Sequence, residues 1–400
     1  MLRTRRRSST SGARSTATRA PDGRLLGEQD YAPGYDIEKY FAYFTADGWS
    51  DQTHDYCGQL RRLRQTGSNN LKRQQEIKIP SNTTLLGLGD DAGFRATNIM
   101  LHVDSDIVIR NLTVEAPVDW FSSWDPWDGE DGSWNARFDA MSSVTASNIW
   151  VDHVTFTDGA HPDSAAPPGP NGKPANRHDG LFDMKDGTDY VTITNSRFVV
   201  HDKTMLLGSG DGNADTDAGR LRVTIAGNYF EGTSQRSPRV RFGDVHVLNN
   251  YYLARAQDPV WPVLSGANGG HGYFLGLGYD SSVVSEANAF EYTGPGADET
   301  IVVEHWNATE FADSGSWFNA RPVDVEALAA ADYETNRLAA VAEAEAEGTV
   351  APGWALTGFS TDVRRDPAEE YDYDVLTDYA DVKWHGKHAT GAGALMVQHP

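Results

Sequence analysis

Three aspartates, Asp139, Asp179 and Asp183, interrupt strand-like runs of the chain, and four bases, Lys203, Arg236, Arg239 and Arg241, follow them. Their spacing is set against a recurring large apolar residue. Asp139 lies 17 residues before Phe156, and Asp179 lies 19 before Phe198. Lys203 lies five after Phe198, Arg236 six after Phe230, and Asp183 precedes Lys203 by 20. If neighbouring runs are successive turns of one solenoid, these five stack on one face. Carboxylates are hard oxygen ligands, and such a set without His or Cys suits Ca2+ better than Zn2+. A fully extended strand would hold Asp179 and Asp183 about 13 Å apart, too far to share an ion whose oxygens lie at about 2.4 Å. The chain must bend between them, and Gly180 eases that. Acids for a cation beside a basic cluster fit a polyanionic ligand, whose carboxylates are bridged by the ion or bound by arginine forks. Taken singly, such an Asp is usually a turn residue and such an Arg a solvated or ion-paired one. The shared phase of five is what points to a site.

The elements that must position these groups are short. From about residue 75, β-type runs alternate with Gly, Asn and Asp turns, which predicts many strands and few helices. A polar or small residue is followed three positions later by a large apolar one in Asn111-Leu-Thr-Val114, His153-Val-Thr-Phe156, Asn195-Ser-Arg-Phe198, Gly227-Asn-Tyr-Phe230, Asn249-Asn-Tyr-Tyr252 and Ala287-Asn-Ala-Phe290. The last residues step by 42, 42, 32, 22 and 38, a minimal unit near 22 with insertions. A β-sandwich gives no reason for the same signature in each unit. A parallel solenoid does, because equivalent side chains stack from coil to coil at about 4.8 Å. Asn195, Asn228 and Asn250 are accordingly structural ladder residues.

One domain is expected over 31–400, with coils over 79–319, an Ala/Glu-rich helix over 323–347 packed outside the solenoid, and a wrap over 348–400. Gln59 to Gln75 could supply part of an early coil or cap. Segments 115–137 and 157–178 read as long loops, where binding usually sits. Residues 1–30 form a basic leader without the apolar core of an export signal. Residues 1–24 hold seven arginines and one acid, so the rest of the chain has 27 bases and 56 acids, a balance of -29. A body this acidic excludes nucleic acid as a partner and suits concentrated salt, where self-repulsion is screened. Cys57 stands alone, so no intramolecular disulfide and no Cys-based zinc cluster can form. No apolar run is long enough for a membrane helix.

At the phased residues the chain resembles a known family. His178-Asp-Gly-Leu-Phe-Asp183, His201-Asp-Lys-Thr-Met205 and Gln235-Arg-Ser-Pro-Arg-Val-Arg-Phe-Gly243 closely resemble motifs of the pectate lyases of polysaccharide lyase family 1. Trp150-Val-Asp-His153 and Val245-His-Val-Leu-Asn-Asn-Tyr-Tyr252 are similar to two further motifs, and Gly391-Ala-Gly-Ala394 is a weaker echo. The resemblance runs in order from Ile79 to Asn319. It implies an all-β fold, a right-handed parallel β-helix of three sheets, and cleavage of de-esterified homogalacturonan by β-elimination. It further implies Asp139, Asp179 and Asp183 as calcium ligands, Arg236 as the base, and Lys203 and Arg241 as grips on the substrate carboxylate. Asp128 falls where some members place an acid for substrate-bridging calcium. The implied partner is polygalacturonate, the implied cofactor Ca2+, and the implied setting a secreted monomer with an alkaline optimum. Pectin lyase, which lacks the calcium acids, is the nearest alternative, and a non-catalytic β-helix that binds acidic glycan is a second. Gly89-Asp-Asp91 and Gly270-His-Gly272 superficially resemble polygalacturonase motifs, but lie in turn-like contexts away from the phased cluster.

Overall fold

The computed structural model describes residues 15–16, 20, 22, 24, 26–44, 55–125, 133–167, 175–256 and 272–395. Alternating apolar residues in each short run bury one face, and the runs stack in parallel to build a right-handed β-helix of three sheets. The first sheet includes Asn98–His102, Met141–Val144, Phe182–Lys185, Leu206–Leu207, Arg239–Val240, Leu275–Leu277 and Val303–His305. The second includes Ser105–Arg110, Ser147–Asp152, Asp189–Thr194, Arg222–Ala226, Asp244–Leu248 and Ser282–Glu286. The third includes Thr113–Glu115, Thr155–Thr157, Arg197–Lys203, Tyr229–Gln235, Tyr251–Arg255 and Ala289–Thr293.

Register explains the sequence ladder. Ile107, Ile149, Val191, Val223, Val245 and Val283 pair across successive coils and are all buried. On the third sheet Phe156, Phe198, Phe230, Tyr252 and Phe290 form a ring stack with centroids 4.7–5.0 Å apart. The residue that opens each repeated pattern turns the corner from second to third sheet. Asn111, His153, Asn195, Gly227, Asn249 and Ala287 all have φ between 46° and 64°, a left-handed conformation that Gly and Asn tolerate best. Beside this corner runs an amide ladder. Asn228 Nδ2 donates to Asn250 Oδ1 at 2.9 Å, and Asn250 Nδ2 donates to Asn288 Oδ1 at 3.1 Å.

Both ends of the solenoid are covered by helices. Gln59 to Gln75, read as part of a possible early coil or cap, lies in the helix Asp55–Gln75, which leads directly into the strand Glu76–Lys78. Its Leu60 and Leu71 join Tyr31, Tyr35, Tyr40, Phe121, Trp134 and Phe138 in a second core. The loop 115–137 is thus less irregular than expected, carrying a hairpin of Ser123–Asp125 and Ser133–Asn135. Helix Val325–Glu347 packs on the last coil and contributes Val325 and Ala329 to the main core, so it seals a hydrophobic end. The segment beyond it returns along the third sheet through the helix Tyr379–His388. Gly391 N, Ala392 N and Gly393 N then donate to Asn195 O, Thr155 Oγ1 and Asn111 Oδ1 at 2.8–2.9 Å.

Candidate functional site

Asp139, Asp179 and Asp183 come together on the outer side of the first sheet. Asp139 precedes the strand Met141–Val144, and Asp183 lies within the next, Phe182–Lys185. Ala140 N donates to Gly180 O at 2.9 Å, which sets Asp139 beside the Asp179–Gly180 segment. Each aspartate offers one carboxylate oxygen, and these oxygens lie within 4.8 Å of one another. The expected bend between Asp179 and Asp183 is present, at Leu181, and what Gly180 supplies is room. A Cβ there would lie 2.2 Å from Asp183 Oδ1, while φ is not left-handed.

The cluster is short of positive charge. Asp139 and Asp183 are almost fully buried. Asp139 Oδ2 accepts Ser142 Oγ at 2.5 Å and its Oδ1 accepts Gly180 N at 3.0 Å; Asp183 Oδ1 accepts Leu206 N at 3.0 Å. One ammonium, that of Lys185, lies 3.5 Å from Asp139 and 3.9 Å from Asp183. With all three carboxylates ionised, the one ammonium within reach among the described residues would leave two negative charges uncompensated. Burial pushes the carboxyl groups of Asp139 and Asp183 upward, and the neighbouring aspartates add to it against the pull of Lys185. Hard oxygens, close spacing and a deficit of two charges fit a divalent cation such as Ca2+.

Two supporting residues were not assigned from sequence. Lys185 follows Asp183 by two positions, so the alternation of a strand places both on the same face. His201 carries Asp179 from behind. Its Nε2 faces Asp179 O at 2.7 Å and its Nδ1 faces Asp158 Oδ1 at 2.6 Å. Both partners are acceptors, so the ring holds both protons. Burial opposes that charge, but Asp158 outweighs it and raises the imidazole to about 9.

The bases follow on the next coils, Lys203 ending a third-sheet strand, Arg236 just after another, and Arg239 in the first sheet with Arg241 just beyond it. Gly180 bridges to Lys203, and Lys203 pairs in register with Gln235, which precedes Arg236. Lys203 Nζ donates to Asn135 Oδ1 at 3.3 Å. Arg236 stands at a left-handed corner, φ 57°, and its Nε is buried without a hydrogen-bond partner among the described residues. Arg239 lies in strand Arg239–Val240, stacked 3.9 Å from the Trp306 ring centroid. Arg241 donates from Nε to Asp211 Oδ1 at 2.6 Å. The five phased positions therefore meet on the first sheet or at its corner with the third, while Asp128 lies outside the described residues. Gly89-Asp-Asp91 sits at the corner between second and third sheets, away from the cluster; Gly270 and His271 lie outside the described residues.

Fold and site together define a parallel β-helix protein with a candidate cation centre flanked by arginines. The chain belongs to the pectate lyase family, whose model, described as "Pectate lyase", matches residues 55–378. Pectate lyase D of Dickeya chrysanthemi is 38% identical over 259 residues, which cover 64% of this chain and 63% of that protein. The chain thus spans less than two thirds of that relative's length. The pectate lyase of Bacillus subtilis strain 168 is 33% identical over 303 residues, 76% of this chain and 69% of the relative. Among solved structures, a Bacillus subtilis pectate lyase mutant superposes with a TM-score of 0.77 at 28% identity, covering 95% of this chain and 85% of that one. A pectate lyase bound to a hexasaccharide superposes with a TM-score of 0.76, also at 28% identity, covering 95% and 84%.

Proposed function

We propose that this chain is a calcium-dependent pectate lyase that cleaves de-esterified homogalacturonan by β-elimination to give 4,5-unsaturated oligogalacturonides. One juxtaposition carries this reading. Three facing carboxylates stand on the first sheet and Arg236 at the corner that leads into it; no ion pair holds Arg236 among the described residues, whereas Asp211 holds Arg241. Asp139, Asp179 and Asp183 hold the ion, and Asp128 is a further acid for bridging calcium. Bound there, Ca2+ supplies positive charge to the uronate carboxylate and so acidifies the neighbouring C5 proton. Lys203 and Arg241 grip that carboxylate and stabilise the negative charge that grows on it as the C5–H bond breaks. Arg236 takes the proton. The electron pair left at C5 becomes the C4–C5 double bond as the bond from C4 to the glycosidic oxygen breaks, and water protonates the departing oxygen. A guanidinium surrenders its proton reluctantly, so turnover is expected to be fastest at alkaline pH.

A family member bound to a hexasaccharide supports a polymeric substrate. Polygalacturonate is too large to enter cells, so the enzyme acts outside them, as a monomer. No described helix is long and apolar enough to cross a membrane. The deciding measurement follows the ultraviolet absorbance of unsaturated uronide on adding polygalacturonate, with calcium and with a chelator. The expected result is calcium-dependent absorbance that Arg236→Ala and Arg236→Lys both abolish. Binding without new absorbance would favour a non-catalytic glycan binder, and calcium-independent cleavage confined to methyl-esterified polymer would favour a pectin lyase.

A further inference from the structure

Arg241 is held from both sides before any substrate arrives. Its Nε donates to Asp211 Oδ1 at 2.6 Å, and its Nη1 donates to Gly208 O at 3.3 Å. Asp211 is itself tethered, because Asn307 Nδ2 donates to its other oxygen at 3.0 Å. The two tethers come from different coils. Asp211 lies in the loop after Leu206–Leu207, and Asn307 follows Val303–His305, three strands further along the first sheet. The path between them is cleared by glycine. At Gly278 a Cβ would stand 3.1 Å from Arg241 Cγ, and at Gly208, φ 80°, it would stand 2.9 Å from Arg241 Cβ. The nearest obstacles are backbone, Val240 O at 2.5 Å from the first and Arg241 O at 2.8 Å from the second, so a larger residue at either would disturb the strand that carries the arginine.

A guanidinium has five N–H donors in a rigid fork. Asp211 occupies Nε and Gly208 one hydrogen of Nη1, which leaves the other Nη1 hydrogen and the two on Nη2 as the edge available to a second carboxylate. We propose that Asp211, locked by Asn307, is a positioning residue that aims this free edge of Arg241 at the substrate uronate. The inference rests on the assignment of Arg241 to the substrate carboxylate. Asp211 is 51% exposed at its side chain, so an unbraced carboxylate there would sample many rotamers and gain little from the pair. The bond from Asn307 removes that freedom. Asp211 thereby also takes up part of the arginine's charge, so that Arg241 selects its ligand by the geometry of a planar carboxylate more than by net attraction.

The experiment measures KM and kcat on polygalacturonate at saturating calcium, with thermal melts, for the unaltered chain and for Asp211→Ala, Asp211→Asn, Asn307→Ala and Arg241→Ala. A hydrogen bond to a charged group corresponds to a change on the order of tenfold or more. The expected result is a KM raised about tenfold in Asp211→Ala, with a much smaller change in kcat and an unchanged melting temperature. Asp211→Asn keeps the acceptor oxygen and recovers most of the loss. Asn307→Ala shifts KM in the same direction by about threefold. In an Arg241→Ala background Asp211→Ala adds nothing, because it acts through that arginine. A lower KM in Asp211→Ala would show a competitor for the substrate's place and overturn the inference. A fall in melting temperature with no KM shift would overturn it as merely structural. An unaltered chain without lyase activity overturns the proposed function, and this inference with it, whereas an active chain whose KM ignores Asp211 overturns the inference alone.

Discussion

One coil carries two buried aspartates whose surroundings are opposite. Asp139, at its start, is 2% exposed, and Asp152, where the second-sheet strand ends, is 1% exposed. Asp152 is saturated with donors. It accepts Arg110 Nε at 2.8 Å, Thr194 Oγ1 at 2.8 Å and Asn195 Nδ2 at 2.9 Å, with His153 Nδ1 also 2.8 Å away. Burial alone would push its carboxyl up, but His153, Asn195 and Thr194 hold it well below the usual carboxylate range. Asp139 faces two other acids and one lysine, and is pushed up. Equal burial therefore gives a closed structural hub on the second sheet and an open, charge-deficient centre on the first. The resemblance takes in both, Asp152 within a motif run and Asp139 as an implied calcium ligand, so what separates them is whether the carboxylate's bonding capacity is already spent.

The largest test of this contrast is at the open centre. Asp183→Asn is expected to lower kcat/KM on polygalacturonate by about a thousandfold, the scale of losing metal-assisted charge stabilisation. Without calcium the same variant should melt no lower than the unaltered chain, because a crowded negative charge has been removed. An activity loss below tenfold would dissolve the distinction between the sites. At the closed hub the sign reverses. Asp152→Asn should cost about 3 kcal/mol of stability in denaturant melts while activity per folded molecule stays within about twofold. A group whose folded value is depressed contributes its stability above the unfolded carboxylate value of about 4 and loses it as pH falls further. The penalty of Asp152→Asn should therefore be full at pH 7 and shrink below pH about 4. Next in size is calcium itself, which at a hundred times its dissociation constant should stabilise the unaltered chain by about 2.7 kcal/mol. That gain should vanish in Asp183→Asn and survive in Asp152→Asn. The smallest effect concerns the acidic body. Adding salt should lower KM by about twofold by screening repulsion between the chain and a polyanion, whereas a KM that rises with salt would mean that the basic cluster governs encounter.

The parts of the molecule legible in sequence are those set by repetition. The ring stack from Phe156 to Phe290 and the left-handed corners from Asn111 to Ala287 recur once per coil, so their spacing showed in the chain before any coordinates. Asp139 and Asp179 were visible for the same reason, each tied in phase to a stacked ring, and Asp183 through its 20-residue step to Lys203. What escaped depends on loops and ends. Asp211 and Asn307 meet from segments that no period relates. His201 was seen as a motif residue, but its grip on Asp179 depends on Asp158 in a different coil. The helix Asp55–Gln75 contains Gly58, Gly67 and a Ser-Asn-Asn run that weaken its local signal. Gly67 is there for packing, since a Cβ would lie 2.3 Å from the ring of Phe121.

The returning tail has a consequence for how the molecule is made. Gly393 bonds Asn111 across 282 positions of sequence, and Ala392 bonds Thr155 across 237. Stacked coils can ordinarily zip up one at a time as they emerge during synthesis, since each leans only on its neighbours. Here the early corners at Asn111 and Thr155 lack these hydrogen bonds until residues 391–393 have been delivered. The stack is therefore held short of its finished state until that segment has been made, and a truncation before Gly391 should be felt first in coils built hundreds of residues earlier.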